Sequence, residues 1–207
     1  MTANESTSPH QFGEMHRRLA EDKGFTYDPR KKDFVTEGYS VAAHPAAELT
    51  VPHTEGGATE AHIEGYTVGS APVWANQKAK GRGQEMIGGW RTDEGGKDVL
   101  DIPKVFPATP TGHAKSREAQ ILRNQEASFS LHEMEEDPNP WFTGSAATGA
   151  APGRLSAQFP EFGNLVAKNP QAALDPEKYP EVASWANKPT REAGYAKEAK
   201  RKSRGQP

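Results

Sequence analysis

Residues Glu85–Pro107 carry the clearest structural signal of the chain and read EMIGGWRTDEGGKDVLDIPKVFP. Two segments rich in strand-forming residues, 85–92 and 97–106, flank the turn DEGG, whose glycines tolerate positive φ angles. The pattern predicts a β-hairpin. Gly88-Gly89 beside Trp90 also raises the possibility of a ligand-cradling loop, but the GxxxxGK[ST] and strand-GxGxxG-helix contexts are missing. We therefore interpret these two glycines as positions of close backbone packing.

Further elements extend from this hairpin in both directions. Within the extended segment 34–44, residues 38–44 (GYSVAAH) read as a strand that Pro45 ends, and a kinked helix is predicted after Thr59. The best helical pattern lies within 109–127, and an alternating strand follows it at 127–134. The order is β-α-β-β-α-β. It predicts an α+β fold, a split-βαβ or ferredoxin-like sandwich in which two helices cover one face of an antiparallel sheet.

Composition limits how much of the chain belongs to that domain. Of 207 residues only 34% are hydrophobic, and the mean hydropathy is -0.84. These values predict a core of roughly 100 residues with polar extensions. The expected parts are a flexible leader with a short helix (1–23), the α+β domain (24–136), a Pro/Gly/Ala-rich linker (137–158), short anchoring segments (159–190) and a basic tail (191–207).

Charge and residue usage exclude several classes of protein. The formal net charge of -3 gives no global electrostatic argument for nucleic-acid binding, and the lack of cysteine excludes disulfides and thiolate metal sites. The first 18 residues have no apolar region of a secretory signal, and no apolar run approaches the roughly 20 residues of a membrane span. We expect a soluble protein of the bacterial cytoplasm or of a virion, without membrane partners.

The histidines do not form a recognisable metal motif. His44, His53 and His62 are spaced by nine residues, which matches no known pair geometry such as HExxH. His132 stands among glutamates, but alternate residues of a strand point to opposite faces, so only Glu136 is expected to share its face. We interpret these residues as solvated polar side chains, and we predict neither a metal site nor a cofactor.

One alternative is an enzyme of unassigned reaction around Trp90, Asp101 and His132. Asp101 alternates with Leu100 and Ile102, so it is expected to face solvent or a partner if those two residues face the core. Its neighbours in sequence supply no obvious base or nucleophile. No catalytic residue is therefore assigned.

The region after Glu136 holds aromatic side chains between prolines. We predict that these anchors dock onto a partner protein or onto the main domain. The anchors are Trp141, Phe142, Phe159, Phe162, Tyr179 and Trp185. The basic tail supports another alternative, a nucleic-acid-associated accessory protein. Its contact residues would be Lys197, Lys200, Arg201, Lys202 and Arg204.

Four short segments resemble a family of uncharacterised small α/β domains encoded in actinobacterial and actinophage genomes. They are GFTYDPR (24–30), EGYSVAAHP (37–45), IGGWRTDEGGKDVLDIPKVFP (87–107) and LRNQEASFSL (122–131). The resemblance covers about residues 24–134 and agrees with the family pattern in order and spacing. Pro103 departs from it, because Ser or Thr is usual there. The resemblance implies an accessory domain of a phage or mobile element, and it carries no activity and no catalytic residue.

The leading hypothesis from the sequence is a non-enzymatic structural or protein-binding protein, encoded by a phage. Its α+β domain would present one sheet face or edge to other subunits, and its tail would dock onto them in a homo- or hetero-oligomeric assembly.

Overall fold

The fold combines helices with two β-sheets, which confirms the predicted α+β class. It is seen in a computed structural model that describes residues 9–43, 47–73, 85–92, 96–144, 152–153, 155 and 160–187. The chain divides into two compact units. Unit 1 comprises Met1–Val35 and Ala42–Lys104, and unit 2 comprises Thr36–Val41 and Val105–Pro207.

The described residues include five α-helices, two 3-10 helices and nine strands. The helices are α1 (Pro9–Glu21), α2 (Glu60–Gly69), α3 (Pro110–Arg123), α4 (Pro160–Lys168) and α5 (Pro180–Asn187), with 3-10 helices at His53–Glu55 and Pro170–Leu174. The strands are β1 (Gly24–Asp28), β2 (Asp33–Phe34), β3 (Tyr39–Ala42), β4 (Leu49–Pro52), β5 (Ile87–Arg91), β6 (Lys97–Asp101), β7 (Pro103–Phe106), β8 (Ala127–Ser130) and β9 (Glu135–Pro138).

Sheet A lies in unit 1 and has the strand order β2-β1-β5-β6-β4, with antiparallel neighbours. Its centre contains the predicted hairpin, since β5 pairs with β6 in a register that sets Gly88 opposite Asp101 and Arg91 opposite Asp98. Gly96 has a φ of +54°, as the turn required. The turn residues 93–95 lie outside the described part.

The leader contributes to the core of unit 1. Phe12, Met15 and Leu19 lie on one side of α1 and are 6%, 0% and 0% exposed. They pack with strand residues such as Tyr27 and Leu100 in one apolar cluster. The short helix that the sequence predicts within the leader is therefore present, and its apolar stripe completes the core of unit 1.

The four predicted strands are distributed over two sheets instead of one. Strands β5 and β6 belong to sheet A, whereas β3 and β8 pair with each other in sheet B, whose order is β7-β3-β8-β9. The predicted strand 97–106 is interrupted at Ile102, and Pro103 begins β7 in the second sheet. Proline has no N–H to continue a ladder, which is consistent with the change of sheet at this point.

The C-terminal segments form much of the core of unit 2. Helices α4 and α5 and the 3-10 helix Pro170–Leu174 all contact α3 or one another. Trp141, Phe142 and Phe162 are at most 4% exposed. The prediction that they dock onto a partner protein is corrected, because they are buried within the chain; the alternative of docking within the chain is what the structure shows.

The other predicted anchors are Tyr179, Trp185 and Phe159. Tyr179 and Trp185 are half-buried and pack against the cluster that contains Phe162. Phe159 lies outside the described residues. The sequence predicts a linker (137–158) that is distinct from the anchoring segments (159–190). In the structure, the described parts of both belong to unit 2. No helix in the described ranges is long and apolar enough to cross a membrane.

Replacing Gly89 with alanine tests the packing of the central hairpin. A Cβ atom at Gly89 would overlap the ring of Phe25, so we expect Gly89→Ala to destabilise the chain by about 1–3 kcal/mol. Gly65→Ala in α2 is the matched control: its Cβ meets open space, and alanine favours a helix by about 0.5–1 kcal/mol. Urea unfolding measures both free energies. Equal stability of Gly89→Ala and the native chain would contradict this packing.

Candidate functional site

Strand β6 carries two buried aspartates in contrasting environments. Asp98 is 0% exposed and Asp101 is 7% exposed. Because Asp101 is three positions after Asp98 on one strand, their side chains lie on opposite faces of sheet A. They are the strongest candidates for chemistry in unit 1, and their surroundings decide what each of them can do.

The carboxylate of Asp98 is surrounded by hydrogen-bond donors. Arg91 donates from Nε at 2.8 Å to Oδ1 and from Nη2 at 3.0 Å to Oδ2. The backbone N–H of Ala58 donates to Oδ2 at 2.8 Å, and Nε2 of His53 lies 2.9 Å from Oδ1. Both carboxylate oxygens are thereby engaged, which a buried charge requires.

Local structure brings these partners to Asp98. The register of the hairpin sets Arg91 directly opposite, and the 3-10 helix His53–Glu55 presents His53. Gly57 follows with a φ of +74°, and a Cβ there would lie 2.6 Å from Oδ2 of Asp98. Glycine at this position therefore lets the backbone approach the carboxylate before α2 begins.

The ionisation of Asp98 follows from these contacts. Burial alone would raise its pKa, but the hydrogen bonds from Arg91, His53 and the Ala58 N–H outweigh burial, and the pKa falls to about 2. The group is an ionised acceptor at neutral pH and has little tendency to take up a proton. Asp98 therefore acts as a structural anchor and is poorly suited to general-base chemistry.

Asp101 has the opposite environment. No residue of the described part donates a hydrogen bond to its carboxyl group, and its burial corrects the expectation that it faces solvent or a partner. Burial first, and the charge of Glu48 second, together raise the pKa of Asp101 to about 7. Glu48 directly precedes β4, in which Leu49 pairs with Leu100, so the two carboxyl groups lie in neighbouring positions across the strands.

Glycine and tyrosine complete the surroundings of Asp101. A Cβ at Gly88 would overlap Oδ1 of Asp101 and would lie 3.0 Å from the Pro103 ring, so glycine leaves room for the carboxyl group. Tyr66 donates its hydroxyl to the Ala47 carbonyl oxygen at 2.9 Å. Burial raises the pKa of Tyr66 above its ordinary value, and the charges of Asp101 and then Glu48 add to this.

A carboxyl group that titrates near neutral pH is a usual feature of acid–base sites. A general base must be reached by its substrate, and Asp101 is only 7% exposed. Protonation of Asp101 is therefore coupled first to the stability of unit 1. Of the other residues proposed for an enzymatic site, Trp90 lies on β5 of the same unit, whereas His132 follows β8 in unit 2.

Unit 2 contains a buried ionic network that the sequence did not reveal. Asp137 on β9 accepts hydrogen bonds from Arg117 Nε at 2.8 Å and Nη2 at 2.9 Å, and His113 Nε2 lies 2.7 Å from its Oδ2. Burial alone would raise the pKa of Asp137, but His113 and Arg117 lower it below its ordinary value. The available signal was the i, i+4 spacing of His113 and Arg117 on one face of a helix.

The described residues contain no group of three or more His, Asp or Glu side chains arranged to hold a metal ion. His44 and the tail residues Lys197, Lys200, Arg201, Lys202 and Arg204 lie outside the described part. His53 and His62 serve local structure instead, since His53 contacts Asp98 and the His62 backbone N–H donates to Thr59 Oγ1 at the start of α2.

Asp101→Asn tests the coupling between protonation and stability. The folded-state pKa of about 7 exceeds the ordinary value of 3.8, so the folded chain binds this proton more tightly than the unfolded chain. The protonated Asp101 contributes to the free energy of unfolding below about pH 4. This contribution is lost as the pH rises to about 7, by at most about 1.4 kcal/mol per pH unit. We expect Asp101→Asn to remove this loss.

Urea unfolding at about pH 5 and about pH 8 measures the effect for the native chain, Asp101→Asn and the exposed control Glu64→Gln. The asparagine variant should gain stability relative to the native chain at the higher pH, and the control should follow the native chain. An unchanged pH dependence in Asp101→Asn would show that Asp101 is not the titrating group.

Comparisons with known proteins provide no assignment for these sites. No protein-family model, curated protein or solved structure matches the chain. The roles of Asp98, Asp101 and Asp137 therefore rest on the geometry of this chain alone, and the resemblance to small actinobacterial and actinophage domains stays a sequence-based expectation.

Proposed function

We propose that this chain is a non-enzymatic protein-binding or structural protein, and that unit 1 binds its partner through the surface around Trp90. The observation that carries the proposal is the exposure of Trp90, which stands on the central strand of sheet A with 41% of its surface accessible. Tryptophan is strongly enriched among the residues that dominate binding energy in protein interfaces.

The neighbours of Trp90 make this surface accessible to a partner. In the sheet register Trp90 lies between Gly24 on β1 and Val99 on β6, and Thr50 on the edge strand β4 follows Val99 in the same row. Gly24 has no side chain, and Thr50 is exposed. A partner side chain can therefore contact the indole from the β1 side, where Gly24 places no side chain beside it.

The edge of the same sheet offers a separate binding element, because its Leu49 alternates with Thr50 and so lies on the face opposite Trp90. Strand β4 is an outer strand, and its Leu49 is 36% exposed. An outer strand offers unpaired backbone groups that a partner strand can bind. This arrangement supports the hypothesis that the domain presents a sheet face or edge to other subunits.

The internal carboxylates support a binding role over a catalytic one. Asp98 and Asp137 are engaged by arginine and histidine, and Asp101 is buried without a hydrogen-bond partner in the described part. The resemblance to phage and mobile-element domains is what supports a place for this protein in a virion or a related assembly.

Affinity capture from the native host, with Trp90→Ser compared with the native chain, tests the proposal. We expect a partner present at fixed stoichiometry with the native chain to be reduced by at least about tenfold in the variant, since an interface tryptophan typically contributes 2 kcal/mol or more. Val68→Ser is the control, because Val68 is 65% exposed on α2, outside the proposed surface.

Circular dichroism and light scattering on both variants establish that the fold and the mass are otherwise unchanged. Equal recovery of every stoichiometric partner by Trp90→Ser and the native chain would contradict the proposal. A catalytic activity lost in Asp101→Asn and kept in Trp90→Ser would favour the enzymatic alternative instead.

A further inference from the structure

Strand β9 is an outer strand of sheet B with an unusual charge. It is paired with β8 on one side, and β9 stands at the end of the strand order. Glu135 and Glu136 are exposed on it, and Glu133 lies in the turn before it. Within the described part of the chain, none of these three glutamates forms an ion pair, so their charges are not neutralised there.

The same edge is protected from ordinary strand pairing. Pro138 closes β9 and has no N–H to offer, and like-charged glutamates disfavour a second acidic strand. Met134 precedes the strand with 54% exposure and a φ of +58°. A partner for this edge therefore needs positive charge, together with an aliphatic part that can cover the methionine.

The chain itself carries such a partner beyond α5. Residues 191–207 hold six basic and two acidic side chains, a formal charge of +4, in contrast to the net charge of -3 for the whole chain. Lysine and arginine provide both the charge and the aliphatic stem.

The last described residues before this segment lie close to β9. Arg117 donates from Nη1 to the Trp185 carbonyl oxygen at 2.9 Å, and the same guanidinium binds Asp137 of β9. Trp185 is two residues from the end of α5 at Asn187. The end of α5 therefore lies beside the acidic strand. The ten residues from the end of α5 to Lys197 would span at most about 35 Å if fully extended, which limits how far the basic side chains can lie from β9.

We propose that the basic segment 191–204 of this chain docks against the acidic edge formed by Glu133, Glu135 and Glu136 in the same molecule. The short tether holds the two charged segments at a high effective concentration, so weak exposed ion pairs act together. The docked segment has fewer free cations for other acidic ligands. The interaction thus restrains nucleic-acid binding by the tail, and a competing polyanion would release it.

Trypsin cleavage within the tail measures the docked fraction, because Lys197–Arg204 supply the cleavage sites. We expect the full-length chain at low salt to be cleaved there about tenfold more slowly than the variant Glu133→Gln/Glu135→Gln/Glu136→Gln. The difference should vanish at about 1 M NaCl, where the screening length is about 3 Å.

A matched triple variant controls for net charge. Glu55→Gln/Glu60→Gln/Glu64→Gln removes three exposed glutamates of unit 1 and should be cleaved like the native chain. Circular dichroism of each variant verifies folding, and cleavage is followed at several protein concentrations. Rates that are independent of concentration support docking within one molecule.

Equal cleavage of the native chain and both variants at low salt would overturn the proposal. Protection that increases with protein concentration would also overturn it and would assign the edge to the tail of a second copy. As a second measurement, duplex DNA should bind the β9 triple variant more tightly than the native chain. Equal DNA affinity of the two would contradict the restraint on nucleic-acid binding.

Discussion

The buried charge of Asp98 is the constraint on which unit 1 depends. An ionised carboxylate with 0% exposure is tolerated only where donors replace the lost water. Arg91, His53 and the Ala58 N–H are those donors. Their arrangement ties together the hairpin register, the 3-10 helix before α2 and the start of α2 itself, so one side chain links elements that are distant in sequence.

Unit 2 uses the same solution independently. Asp137 on an outer strand is held by an arginine and a histidine from α3, although the two units share no sequence motif around these residues. A chain with 34% hydrophobic residues has limited apolar surface to bury, and buried ion pairs with complete hydrogen bonding specify how its elements meet. Carboxylates held in this way are poorly suited to general-base chemistry, and the surface proposed to bind a partner is the exposed one around Trp90.

Elements that depend on local sequence patterns could be predicted, and features that depend on contacts between distant parts of the chain could not. The β5–β6 hairpin follows from two strand-forming segments around a glycine turn, and the helix around Ile121 follows from its spacing. The division into two sheets at Pro103 depends on pairing between strands far apart in sequence. The burial of Asp101 was missed for a similar reason: alternation along one strand gives the face of a residue but not what covers that face. The proline-rich context of Phe162 does not reveal its packing against distant helices, so the sequence alone leaves open whether Phe162 docks onto a partner or within the chain.

Removal of Arg91 tests most directly whether the buried aspartates are structural. Arg91→Met would leave Asp98 as a buried carboxylate without its main partner, so urea unfolding at pH 7 should show a loss of about 3 kcal/mol. The loss should decrease at low pH, where Asp98 takes up a proton. Arg17→Met is the control, since Arg17 pairs with glutamates on the exposed face of α1 and should cost less than about 1 kcal/mol. A loss in Arg91→Met no larger than that of the control would contradict the account.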